Sequence, residues 1–259
     1  MIYEIEDRSL VERLFAGWEE TIIWSCLQGV MGHIYADDRD VPTSAMALLG
    51  DFCFFGGKPN TELATFKPDW CQQDFIIGIP MIRPWARVIE QCYGDRAKKV
   101  IRYALKKEPD IFDIDALNHI ASGLSGEYDI RCIDEELFTV CRNTDWCRDL
   151  VSQFDDWQMY RKLGLGVVIT KEGEVVSGAS SYSAYRGGIE IEINTKPEYR
   201  RRGLALVCGA RLILECLDRG WYPSWDAANA GSVALAEKLG YHFDYEYVAY
   251  EIYGYGEGE

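Results

Sequence analysis

The stretch Gly188–Ala205, G-I-E-I-E-I-N-T-K-P-E-Y-R-R-R-G-L-A, constrains this chain more than any other. Ile189, Ile191 and Ile193 alternate with Glu190, Glu192 and Asn194, the period-2 pattern of a strand with one apolar face. Pro197 lacks an N–H and stops the ladder. Beyond Gly203 the period changes: Leu206, Ala210, Ile213 and Leu217 recur at helical steps. A strand therefore feeds an Arg-Gly turn that opens a helix. The first N–H groups of a helix are unpaired and carry partial positive charge. With Arg200, Arg201 and Arg202 beside a glycine, the turn is a seat for a phosphate or pyrophosphate.

The chain has 259 residues, 48% apolar and 13% aromatic, enough for one large or two ordinary folded domains. Its net charge of −15 opposes nucleic acid or an anionic membrane as a partner and favours a cationic small molecule. No apolar run is long enough to span a bilayer, and the acidic start Met1–Asp7 lacks the features of a signal peptide. Nine scattered cysteines, an odd number without a C-x-x-C pair, predict free thiols and a cytoplasmic location. His33, His119 and His242 lack metal-ligand spacing, so no metal is expected.

The first half reads as a smaller α+β domain over residues 1–126. A short helix is expected at Ser9–Phe15, with strands at Thr21–Leu27, Gly32–Tyr35, Met46–Phe55 and Asp74–Ile79. Helical periodicity follows from Pro84 to Cys92, and Ala97–Leu105 fits either helix or strand. No chemical motif stands in this half, whose expected role is to complete an acceptor cleft or form a homo-oligomer contact. Ser122–Gly126 reads as a connector, placing the border at 126/127. No internal repeat is visible in the letters.

From residue 127 to 259 the order is more regular. Tyr128–Ile133 is a strand, Asp134 caps a helix over Glu135–Arg142, and Asp145–Leu163 continues helically. A hairpin turns at Lys171-Glu172-Gly173, and the Gly188 strand and its helix follow. Trp221–Asp226 forms a strand, Ser232–Leu239 a helix and His242–Tyr253 a final strand, with a frayed glycine-acid tail. The class is mixed α/β, with a mostly antiparallel sheet flanked by helices.

This second half resembles the GNAT superfamily of acyl-CoA-dependent N-acyltransferases. The family's Arg/Gln-x-x-Gly-x-Gly/Ala signature stands as Arg200-Arg201-Arg202-Gly203-Leu204-Ala205. Asn229, leading to Lys238-Leu239-Gly240-Tyr241, resembles its second signature. The resemblance implies acetyl-CoA as co-substrate and a bacterial subgroup with an additional N-terminal domain. It implies that backbone groups of Ile193 and Thr195 pair with the pantetheine arm. Residues Arg200 to Ala205, Leu204 included, would hold the pyrophosphate, and Asn229 would bond the arm near the thioester.

Transfer to an amine needs the neutral nucleophile, and an alkylamine of pKa about 10.4 is mostly protonated near neutrality. A general base is therefore expected. GNAT enzymes often use a glutamate on the Glu190/Glu192 strand; Glu192 is first choice, Glu190 second, and Asp226 a third candidate for the base or for holding a cationic acceptor. Glu190 and Glu192 have a plainer reading as solvent-facing edge charges, the Trp225 beside Asp226 as core packing, and Asn229 as a helix cap. Where many members place a tyrosine acid this chain has Ala236, with Tyr241, Tyr245, Tyr247 and Ser232 as substitutes. The expected function is N-acetylation of a small amine; a non-catalytic acyl-CoA sensor is the alternative. Cys208 or Cys216 with His242 is a weaker nucleophilic pair, since both thiols share the apolar stripe of one helix.

Overall fold

Alternation and turn chemistry set the elements, and the computed structural model describes residues 1–256. The chain runs β1 (Tyr3–Glu4), α1 (Thr21–Gln28), β2 (His33–Ala36), β3 (Ser44–Leu49), β4 (Phe52–Gly57), α2 (Thr61–Thr65), β5 (Phe75–Pro80), α3 (Arg83–Tyr93) and β6 (Ala97–Leu105). It continues with α4 (Ile114–Ser122), β7 (Asp129–Cys132), α5 (Glu135–Arg142), α6 (Trp157–Leu163), β8 (Gly166–Lys171), β9 (Glu174–Tyr185) and β10 (Gly188–Thr195). Last come α7 (Leu204–Asp218), β11 (Tyr222–Ser224), β12 (Asp226–Ala227), α8 (Ala230–Lys238) and β13 (Phe243–Tyr253).

Two compact units emerge: Met1–Arg102 together with the chain from Glu246 on, and Tyr103–Tyr245. The border expected at 126/127 falls inside the second unit, because α4 packs on α7. The return of the C-terminal strand to the first unit was also not foreseen.

In the first unit β1 to β5 form one sheet in sequence order, antiparallel until β4 and β5, which are parallel; β13 pairs antiparallel to β5. Its core gathers Met46, Leu48, Phe55, Trp85 and Tyr250. Two expectations change here. Thr21–Leu27, expected as a strand, is α1: its apolar run buries Ile22, Ile23 and Cys26, and Gly29 in the left-handed region ends it. Met46–Phe55 is a hairpin, with a turn separating β3 from β4. Of the tail, Tyr255 is buried and its hydroxyl donates to Phe66 O, while 257–259 lie outside the described residues.

In the second unit β7-β8-β9-β10-β11 form a sheet whose only parallel pair is β10 with β11. Asp134 caps α5 by accepting the Leu137 N–H at 3.0 Å, as expected. The long helical region at 145–163 is a 3₁₀ segment, Asp145–Leu150, followed by α6. Ile189 and Ile191 are buried, and Gly209 of α7 lies close to Ile193 of β10. Burying such an aliphatic side chain contributes roughly 1.5–3 kcal/mol.

The two units share one chain path without sharing a visible sequence pattern. Each has a strand, helical segments, three antiparallel strands, a helix, a strand parallel to the last, and a helix. Among the described residues no helix is long and apolar enough to cross a membrane.

Candidate active site

Strand β10 has two faces with different surroundings. Gly209, on the helix that covers the isoleucine face, has no room for a side chain: a Cβ there would stand 2.6 Å from Leu239 Cδ1 and 3.3 Å from Ile193 Cδ1. The other face carries Glu190, Glu192 and Asn194, the last donating through Nδ2 to Trp146 O at 2.8 Å.

The edge of β10 is open beyond its middle. β11 pairs only with Gly188, Ile189 and Glu190, so no strand runs beside the rest of that edge among the described residues. Tyr222 N donates to Gly187 O at 2.8 Å. By alternation Ile191, Ile193 and Thr195 turn their backbone groups toward the same side. Thr195 has partners there already: its N–H bonds Asn194 Oδ1 at 2.9 Å and its carbonyl accepts from Arg200 Nε at 3.2 Å. Its hydroxyl lies 2.7 Å from Ser177 Oγ. Ile193 is therefore the better placed of the two expected edge residues.

Beside this edge the Arg-Gly turn opens α7. Arg201 and Gly203 both have left-handed backbone, φ +59° and +82°. A Cβ on Gly203 would meet nothing within 4 Å, so glycine is favoured there by φ rather than by crowding. No side chain caps α7. A cavity of about 350 Å³ lies at this helix start, walled by Thr195, Arg200, Arg201, Gly203, Leu204 and Ala205. Its other wall includes Tyr199, Leu206, Leu235 and Lys238, which sequence reasoning had not assigned. Lys238 was legible only as part of the Lys-Leu-Gly-Tyr helix end. Arg202 is not in this wall: it donates to Glu198 O at 3.0 Å and stacks 4.9 Å from the Tyr199 ring.

The carboxylates separate. Glu190 is 5% exposed, and its Oε1 accepts the Asp226 N–H at 2.5 Å, where β11 gives way to β12. Its cross-strand neighbours are Ser183 on β9 and Ser224 on β11, both buried, with hydroxyls that find no partner among the described residues. Directly opposed residues share a face. Glu190 thus sits in a small polar row, joined to Asp226 through the latter's backbone. Glu192, two residues on, is half-buried on the same face, nearer the turn.

Asn229 is exposed and caps α8, its Oδ1 accepting the Ser232 N–H at 3.0 Å. Ala236 is fully buried, and Tyr241 donates to Pro223 O at 2.6 Å from a buried position. Burial raises that phenol well above its ordinary pKa. Tyr247 belongs to the first unit. Burial also pushes the Cys208 and Cys216 thiols up to about 12, while His242 pairs with Glu108 at 2.8 Å, which removes the Cys-His alternative. No cluster of His, Cys, Asp or Glu placed to hold a metal occurs among the described residues.

The site thus combines a strand with a half-open edge, a positively lined helix start beside it and carboxylates on one face of the same strand. The GNAT acetyltransferase family matches residues 12–250, and the chain belongs to that family. The match spans both units. A solved GCN5-related N-acetyltransferase-like protein from Streptococcus suis 89/1591 is 47% identical, with a TM-score of 0.90 over 95% of this chain and 98% of that one. An uncharacterized N-acetyltransferase, YdfB of Bacillus subtilis (strain 168), is 26% identical over 89% of each chain. A GCN5-related N-acetyltransferase from Kribbella flavida is 15% identical, with a TM-score of 0.53 over 81% of this chain and 86% of that one, and shares the fold.

Proposed function

We propose that this acetyltransferase uses acetyl-CoA to acetylate the amine of a small cationic acceptor. One observation carries the reading: the cavity at the uncapped start of α7 adjoins the edge of β10, beyond Glu190, beside which no strand runs among the described residues. The residues present suit a coenzyme A pyrophosphate. Arg200, Arg201 and Lys238 supply positive charge, and the first-turn N–H groups supply fixed donors. The pantetheine arm, itself amide-bearing, suits the Ile193 edge as an added strand. Asn229 would donate through its carboxamide nitrogen while its oxygen caps α8. The free thiols fit a reducing, cytoplasmic setting.

Glu192 is the proposed base. It takes the proton from the acceptor's ammonium, directly or through water, and so raises the fraction of neutral nucleophile. Glu190 is a positioning residue: it holds Asp226 N–H and presents, with Ser183 and Ser224, a polar row suited to one ordered water. The acceptor's charge fits both the carboxylates and the chain's acidic balance. No tyrosine stands at Ala236, and the thiol, of ordinary pKa about 8.5, can depart as thiolate.

Calorimetry with acetyl-CoA should give binding that Gly203→Glu removes, and a native protein without measurable binding would sink the reading. A thiol-release assay over pooled amines should then show acceptor-dependent turnover; binding without turnover would favour an acyl-CoA sensor. Glu192→Gln should lower kcat roughly 10²- to 10⁴-fold with acetyl-CoA affinity nearly unchanged. Asn229→Ser, which keeps a capping oxygen but removes the carboxamide donor, should weaken acetyl-CoA with little effect on stability.

A further inference from the structure

The first unit holds its own cavity, of about 580 Å³, where β5 runs into α3. Part of its lining is aromatic and apolar. Trp18 meets Tyr247 edge to face, with centroids 5.6 Å apart, and its Nε1 donates to Met81 O at 3.3 Å, which fixes the indole. The lining also takes Arg83, Arg87 and Glu90 from α3 and Lys99 from β6. Glu90 already accepts the Tyr250 hydroxyl at 2.5 Å. Arg83, Arg87 and Lys99 enter no ion pair among the described residues, whereas Lys98, Arg131, Arg148, Lys171, Lys196, Arg211 and Arg219 each hold a carboxylate. In a chain of net charge −15, three unpaired cations around one cavity are a local reversal of sign. Helix α3 also starts there without a side-chain cap, adding its positive end to theirs.

We propose that this cavity binds a small molecule with an anionic head, carboxylate or phosphate, on an apolar body of one or two rings. The body lies against Trp18 and Tyr247, and the head meets Arg83, Arg87 and Lys99. The shared chain path argues against a second acyl-CoA here. In the first unit β4 is paired to β5 along Phe52–Phe55, leaving little open edge, and α2, in the place of α7, has only five residues. The proposed site lies at the start of α3 rather than at that of α2. A cationic amine would be repelled, so the occupant differs in sign from the proposed acceptor, and the site stands independently of the transferase reading.

Calorimetry on the full chain tests it with indole-3-acetate, phenylacetate and phenyl phosphate, against indole, tryptamine, acetate and inorganic phosphate. At least one ring-bearing anion should bind one per chain, at least tenfold tighter than indole and tryptamine and than its own bare head group. A carboxylate winner names a carboxylic acid head, a phosphate winner a phosphate monoester. Arg87→Glu combined with Lys99→Glu should weaken that binding at least tenfold with the circular dichroism spectrum unchanged. The exposed single change Arg87→Gln provides the same readout should the double variant fail to fold. No binding by any ring-bearing anion, tryptamine binding equally well, or affinity indifferent to these substitutions overturns the proposal.

Discussion

Glu190 and Glu192 are neighbours on one strand face, yet they differ in burial: Glu190 is buried and Glu192 half-buried. Glu190→Ala would leave the Asp226 N–H without its carboxylate partner and should cost about 1–3 kcal/mol in urea denaturation. Glu190→Gln, which keeps an acceptor oxygen, should cost less. Asp134 shows a different dependence. The Leu137 N–H donated to it and the adjacent Arg131 hold its carboxyl below the ordinary range. A depressed folded-state pKa stabilises above the unfolded value and is lost as pH falls through the folded one. Asp134→Ala should therefore cost about 1 kcal/mol near neutrality, and the gap between native and variant midpoints should close in acid.

At the scale of elements, α7 is held to the sheet by the absence of a side chain at one position. A helix-interior glycine ordinarily loses about 1 kcal/mol relative to alanine. Gly209→Ala should nevertheless fail to stabilise, because its methyl would stand 2.6 Å from Leu239 Cδ1. Gly209→Val should destabilise by about 1–3 kcal/mol. Thermal denaturation of the pair separates propensity from packing. The opposite logic holds at Gly203, where space is ample and φ is +82°: Gly203→Ala should cost about 1–2 kcal/mol through backbone strain alone.

For the molecule as a whole, the repeated chain path places one open strand edge in the second unit and a closed counterpart in the first. Acetyl-CoA should accordingly bind once per chain. At a hundredfold excess over Kd it should add about 2.7 kcal/mol to unfolding free energy, read as a raised Tm that Gly203→Glu lacks. A stoichiometry of two would contradict the closure of the β4–β5 edge.

The letters alone determined what repeats at short range. Alternating isoleucines set β10, the Arg-Gly turn set the start of α7, and Asp134 was legible as a cap because its work is done three residues away. Only the tertiary structure decided what depends on distant partners. The run at Thr21–Leu27 is apolar throughout, so its period could not tell a buried helix from a buried strand. The repeated path was hidden because the same topology can be built from different apolar residues. The partners of Glu190 and Asn229 turned on which backbone N–H groups came within reach. The 580 Å³ cavity depends on Trp18, Arg87, Lys99 and Tyr247, which are scattered over 230 residues of sequence. Local pattern reveals an element because side chains share a face at the period of its own backbone, about 3.6 residues in a helix and 2 in a strand. A site depends on contacts that only folding makes.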